Sequence, residues 1–167
     1  IMRNLDPHPF VPPKPEETAV RCREIFSMQV GALSQKLEGS GIQKLVIGIS
    51  GGLDSTLALL VASKTMDYLK LPHTYIHAFT LPGFGTTSRT LNNSRKLCNA
   101  LGVTFNEVNI SQTCKAQLKD LKHQGKEDVV FENVQARYRT AFLFNKANEF
   151  NAIVLGTGDL TEVALGW

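Results

Sequence analysis

Cysteine is scarce in this chain: Cys22, Cys98 and Cys114 are the only three. An odd number, with no C-x-x-C and no Cys/His ligand spacing, argues against a disulfide scaffold or a zinc site and implies a reduced, cytoplasmic setting. No apolar run approaches the roughly 18 residues of a membrane span, and the start lacks the basic and apolar regions of a signal peptide. The expectation is a soluble protein without a membrane partner. Surplus charge is also missing. A net charge of +3 is too small to argue for nucleic acid and suits a small anionic ligand equally well. No internal repeat is visible. What remains is an ordinary globular composition, 43% hydrophobic and 20% charged, on a 167-residue chain. That length is about one domain, able to bury roughly 70% of its unfolded surface without staples.

The first fourteen residues hold Pro7, Pro9, Pro12 and Pro13 and run into Pro15, which excludes helix and central strand. They read as an extended arm or interdomain linker preceding a domain over 15–167. Pro15, Glu16 and Glu17 make a helix start, and Val20, Ile25, Met28, Leu33 and Leu37 predict an apolar face that ends at Gly39 and Gly41. Strands are expected at 44–49, 75–79, 103–110 and 152–155. Between them lie an apolar helix over 53–62, expected to be buried, a helix ending near Gly102, a short helix after 111 and one over 132–148. The polar stretch 122–128 reads as an exposed, mobile loop. A last helix opens at Asp159. Strands alternating with helices predict an α/β fold, a parallel sheet flanked by helices.

The chemistry concentrates in Ser50-Gly51-Gly52-Leu53-Asp54-Ser55, where a β-branched run ends in small residues and a helix begins. Glycines let the backbone curl around an anion, and the helix start aims N–H groups and its positive dipole end at it. The loop has no lysine, so it is not G-x-x-x-x-G-K-[ST], and phosphate would be held by backbone N–H groups and hydroxyls. Asp54 would repel that phosphate unless a divalent cation lay between them, which points to a magnesium nucleotide. The competing reading is a tight turn with Asp54 or Ser55 capping the helix.

These six residues resemble the S-G-G-x-D-S pyrophosphate loop of the N-type ATP pyrophosphatases, which have the Rossmann-like fold of the adenine nucleotide alpha hydrolases. The stretch Val154 to Trp167, VLGTGDLTEVALGW, is similar to NAD synthetases, and so is Asn133-Val134-Gln135-Ala136-Arg137-Tyr138-Arg139. The resemblance implies that Ser50, Gly51, Gly52, Leu53, Asp54, Ser55 and Thr157 contact ATP. It also implies that Asp54 and Glu162 bind Mg2+ and that Asn133 and Arg137 bind deamido-NAD. Asp54, Ser50 and Ser55 would be the catalytic set. The implied reaction adenylates deamido-NAD, releases pyrophosphate, and lets ammonia displace AMP to give NAD. The arm DPHPFVPP resembles the connector of glutamine-dependent NAD synthetases, whose glutaminase domain would then be absent here; ammonia and glutamine stay open as nitrogen source, and the resemblance implies a homo-oligomer in the full-length protein.

Other readings stay open. A relative that modifies tRNA or amidates a guanine nucleotide would share the Ser50 loop, and a non-catalytic nucleotide module would keep it without chemistry. Asp159 and Glu162 are spaced like a reciprocal helix N-cap, and one carboxylate orientation does not serve both cap and metal. Arg137 and Arg139 diverge by about 200° on a helix, so only one faces a given ligand and the other serves a salt bridge or a partner. His73 and His77 fall at a strand, where i,i+4 spacing does not gather metal ligands. Lys115, Lys119, Lys122 and Lys126 read as a solvated face, and the glycine-rich loop 82–89 as a candidate lid.

Overall fold

The computed structural model describes residues 8, 10–85 and 88–165. Most of the proline arm, Thr86 and Thr87 of the candidate lid, and Trp167 lie outside them. In chain order the elements are α1 (Pro15–Ser40), β1 (Lys44–Gly48), α2 (Leu53–Leu69), β2 (Ile76–Thr80), α3 (Ser88–Leu101), β3 (Thr104–Glu107), α4 (Ser111–Asp120), α5 (Val129–Phe150), β4 (Ala152–Leu155) and α6 (Leu160–Leu165). A single 3-10 turn, His73–Tyr75, precedes β2.

All four strands pair in parallel in the order β3-β2-β1-β4. The expected α/β architecture is the one observed, a parallel sheet flanked by helices. The chain steps outward from β1 to β2 and β3, then returns to lay β4 on the other side of β1. The strand order therefore reverses beside β1, and loops leaving the carboxyl ends of β1 and β4 diverge around a crevice.

Period-two alternation along β1 divides the core. Leu45, Ile47 and Ile49 pack with Leu33 and Leu37 of α1, Leu59 and Met66 of α2, and Cys98 of α3. Val46 faces the opposite layer, with Phe79, Cys114 and Leu118 of α4, and Val134 and Ala147 of α5. Both sheet faces are covered, which is why β1 reads as an unbroken apolar run rather than an alternating one.

Several sequence expectations need correction. The apolar face of α1 is buried only from Val30 onward; Val20, Ile25 and Met28 are exposed, Met28 at 72%. Most of the amino-terminal half of this helix overhangs the sheet, and Phe26 is the residue there that packs against the described core. The helix α2 is not fully buried either, since Leu53, Leu57 and Leu60 are exposed. The third strand is shorter than 103–110. The helix expected from 132 starts at Val129, because Asp128 caps it by accepting from the N–H groups of Val130 and Phe131. The 122–128 stretch is exposed but tied: His123 Nε2 lies 3.1 Å from Asp128 Oδ1, and its Nδ1 accepts from the Gly125 N–H.

Of the two histidines expected at a strand, only His77 lies in one, β2, while His73 lies in the 3-10 turn before it; both have structural partners. His77 stacks on Phe150. His73 Nδ1 is 2.7 Å from the Leu101 carbonyl and Nε2 is 2.8 Å from Asp67 Oδ1. Both partners are acceptors when Asp67 is ionised, so the imidazolium, which donates at both nitrogens, satisfies the pair. The Leu101 carbonyl and then Asp67 raise His73 above its ordinary value of 6.5, while His73 foremost lowers Asp67. A raised folded value means stability that is complete below 6.5 and lost as pH rises through the raised value. Melting curves at pH 5.5–8.5 (about neutrality, where histidine titrates) are expected to show the wild type losing its advantage over His73→Gln. Parallel curves would contradict this clamp between the ends of α2 and α3.

Among the described residues, no helix is long and apolar enough to cross a membrane, and no group of three His, Cys, Asp or Glu side chains is placed to hold a metal.

Candidate active site

Gly51 adopts φ +81°, and a Cβ built on it would lie 2.4 Å from the Thr90 carbonyl oxygen of α3. The turn therefore needs glycine twice over, for its left-handed backbone and for its close approach to α3. The serines lock the rest. The Ser50 N–H donates to Ser55 Oγ at 3.3 Å, the two hydroxyls lie 3.1 Å apart, and the Gly52 N–H donates to Ser50 Oγ at 3.2 Å. Ser55 Oγ donates to the Gly52 carbonyl at 3.2 Å. The N-cap of α2 is Gly52, and among the described residues no side-chain cap is formed. The reading of Asp54 or Ser55 as the cap is thus incorrect. Ser55 is turned back into the loop, Asp54 stands exposed in the first turn, and the helix start is open to an anion.

Two cavities flank this loop at the carboxyl edge of the sheet. One, about 450 Å³, is lined by Gly48, Ser50, Thr80, Pro82, Arg139 and Thr157 among others. The second, about 500 Å³, lies between α1, α2 and the exit of β4 and includes Asp54, Gly156, Thr157 and Asp159. Thr157 belongs to both, so a ligand extending from one to the other passes it and the Ser50 loop. A larger groove of about 630 Å³ between Phe10–Pro13 and the start of α1 has no strand edge or loop chemistry beside it.

The structure thus gathers Ser50, Asp54 and Thr157 around the switch point. It treats the remaining expected residues differently. Glu162 Oε2 accepts from the Asp159 N–H at 2.8 Å, and Asp159 Oδ1 accepts from the Glu162 N–H at 2.8 Å. This is the reciprocal cap; because it engages only one carboxylate oxygen of Glu162, the expectation that cap and metal exclude each other needs correction. Asn133 is half-buried and Arg137 exposed, and neither lines the two cavities. Arg139 does line one, and it makes no described salt bridge. The divergence of the two arginines is as expected, but the one on the cleft is Arg139. A usable signal lay in the pattern: Arg139 falls in the stripe of Phe131, Gln135, Phe142 and Leu143, where a charged residue needs a reason.

The candidate lid is a wall over its first half. Arg139 Nε donates to the Leu81 carbonyl at 3.1 Å, and the Phe84 N–H donates to Gln135 Oε1 at 3.2 Å. Phe84 also packs on Phe131 at 5.0 Å, with the Lys115 ammonium 5.8 Å from its ring. Gln135, 7% exposed, is wedged where Gly83 leaves no room for a Cβ.

A parallel sheet with a hydroxyl- and glycine-built loop at its switch point defines the class: a Rossmann-like α/β protein. Comparison with known proteins narrows it. The NAD synthase family matches residues 25–167, and the chain belongs to that family. The glutamine-dependent NAD(+) synthetase of Mycobacterium leprae is 48% identical over all of this chain, which corresponds to 25% of the relative. The NH(3)-dependent NAD(+) synthetase of Pyrobaculum aerophilum is 32% identical over 81% of the chain and 49% of its own length. The structure of glutamine-dependent NAD+ synthetase from Acinetobacter baumannii in complex with ADP superposes with a TM-score of 0.79 at 28% identity, over 86% of this chain and 27% of the other. This chain therefore spans about a quarter of the M. leprae relative and about half of the P. aerophilum one.

Proposed function

We propose that this chain carries the ATP-activating half-site of an enzyme that amidates deamido-NAD to NAD, releasing AMP and pyrophosphate. The observation that carries the reading is the uncapped start of α2 behind the Ser50–Gly52 turn, at the switch point of a family-typical sheet. The A. baumannii neighbour was solved in complex with ADP, which supports an adenine nucleotide as the ligand class. A carboxylate is a poor electrophile until its oxygen becomes a leaving group, which adenylation provides. In this scheme the N–H groups of Gly51 and of the first turn of α2 hold the departing pyrophosphate with fixed dipoles, Ser50 and Ser55 keep the turn in shape, and Thr157 orients the nucleotide. Amine attack by ammonia on the adenylate then forms the C–N bond and expels AMP. Asn133 and Arg137 would meet deamido-NAD from the outer side of α5. Glutamine or free ammonia supplies the nitrogen; relatives of both kinds exist.

Mg2+ fits the residues present. Asp54 lines the cavity at the exit of β4 and Glu162 has one carboxylate oxygen outside the cap, and such oxygens are what that ion uses, with phosphate oxygens and water completing its shell. Asp54 and Glu162 would hold it, Glu162 through the oxygen not engaged by the Asp159 N–H. When bound, it neutralises developing phosphate charge. Glu162→Gln separates cap from metal, because the amide oxygen still accepts from Asp159 while the charge is gone. The expected result is an unchanged melting temperature and about a ten-fold higher Mg2+ requirement for ATP binding, whereas Glu162→Ala also destabilises α6. An unchanged Mg2+ requirement in Glu162→Gln would leave Glu162 as a cap alone.

Calorimetry tests the whole reading: binding of ATP, Mg2+ and deamido-NAD supports the synthetase. ATP binding without deamido-NAD would favour a nucleotide module, and binding of neither would reduce the Ser50 loop to a turn.

A further inference from the structure

Among the described residues that line the cavity beside Ser50, Arg139 is the only charged one. Its side chain is half-buried, and it takes part in none of the described ion pairs. Burial depresses the guanidinium from its ordinary value. A desolvated cation without a counter-ion is a cost to the free protein, and it is relieved when an anion enters. The Ser50 loop, for its part, lacks the lysine that other phosphate loops carry within the loop itself.

We propose that Arg139 supplies the missing cation of this cleft, reaching it from α5: its terminal nitrogens receive an oxyanion of the bound ligand while Nε holds the Leu81 carbonyl. The inference rests on the nucleotide reading of the cleft given above. Nε uses one of the five guanidinium N–H donors, leaving four on two nitrogens in a planar fork suited to phosphate or carboxylate. One of those nitrogens lies 3.1 Å from the position of a Cβ on Gly83, so the loop backbone packs directly against the fork. Gln135, one helical turn earlier, holds the Phe84 N–H. The same face of α5 thus presents a charge to the cleft and fixes the wall behind it. The oxyanion has two possible sources, the phosphate chain of ATP and the carboxylate of deamido-NAD.

The test is calorimetric titration of the chain with tripolyphosphate, ATP, adenosine, deamido-NAD and NAD, for the wild type, Arg139→Gln and Arg139→Lys. Arg139→Gln is expected to weaken an anionic ligand by about ten-fold or more while changing adenosine by less than about two-fold, with Arg139→Lys in between. Loss toward ATP and tripolyphosphate identifies phosphate as the partner. Loss of discrimination between deamido-NAD and NAD, which differ at the carboxylate, identifies the acid. Equal weakening of adenosine and the anions would overturn the proposal, because a wall residue alone behaves that way. Unchanged binding in both variants would overturn it too. A wild type that binds neither ATP nor tripolyphosphate would show that the nucleotide reading itself fails, and the inference with it. Glutamine can still donate to Leu81 and lysine keeps the charge, so if one variant fails to fold the other decides.

Discussion

Asp54→Asn, made in a full-length protein carrying this chain, is expected to abolish Mg2+-dependent pyrophosphate release, a loss of about a thousand-fold or more, with the fold intact. The structural half of this expectation follows from position. Asp54 is exposed in the first turn of α2, and no described hydrogen bond or ion pair ties it to the core. Asparagine there loses only a favourable helix-dipole contact, about 0.3–1 kcal/mol. The chemical half follows from charge. A carboxylate beside a phosphate site repels the ligand unless a cation mediates, and an amide of the same size neither binds Mg2+ well nor repels phosphate. Far-ultraviolet circular dichroism and melting should match the wild type while pyrophosphate release disappears. Undiminished release would remove Asp54 from the mechanism.

Gly51→Ala is expected to act in the opposite order, on the fold of the loop first and on binding as a consequence. The added methyl group meets a left-handed φ of +81° and a Thr90 carbonyl oxygen 2.4 Å from its Cβ. The contact is backbone, not a flexible side-chain end, so α3 or the loop must move. Strain of this kind costs about 1–3 kcal/mol for the dihedral alone, and the contact adds to it. For a domain of this size the melting temperature should fall by about 5–12 °C. Displacing the turn also turns its N–H groups away from the anion, so ATP affinity should drop at temperatures where the variant is still folded. Gly31→Ala is the matched control: it lies within α1 with nothing within 4 Å of its Cβ, and is expected to be neutral or to stabilise by up to about 1 kcal/mol. Equal melting of the two variants would show that the Ser50 loop is not under the constraint described.

The Ser50 loop was legible in the sequence because its chemistry is local. Strand, two glycines and helix start are adjacent in the chain, and residue type alone carries the conformational argument. The gathering of Thr157 with Ser50 was legible only through the family resemblance, since it depends on β4 pairing with β1 rather than extending the sheet beyond β3, which strand alternation does not tell. Three things were not legible. The overhang of α1, which leaves Ile25 and Met28 exposed, is set by tertiary contact and not by periodicity. The Gly52 N-cap, which displaces the competing reading of an Asp54 or Ser55 cap, depends on Ser55 turning its hydroxyl to the Gly52 carbonyl and to Ser50. That the cleft is lined by Arg139 was not legible either, as spacing says that it diverges from Arg137 without saying which of the two faces the cleft. Its place in an apolar stripe of α5 was the signal that distinguishes them.

The central claim is that the Ser50 loop serves adenylation of a carboxylate, and isotope transfer tests it most directly. Deamido-NAD labelled with 18O in its carboxyl group is incubated with ATP, Mg2+ and ammonia in a full-length protein carrying this chain, and the products are read by mass spectrometry. Attack of the carboxylate oxygen on the α-phosphorus, with release of pyrophosphate, followed by displacement by ammonia, leaves one 18O in AMP. Label in AMP, with none in pyrophosphate, is the predicted result. Label in inorganic phosphate with ADP as co-product, or NAD formed with unlabelled AMP, would contradict it.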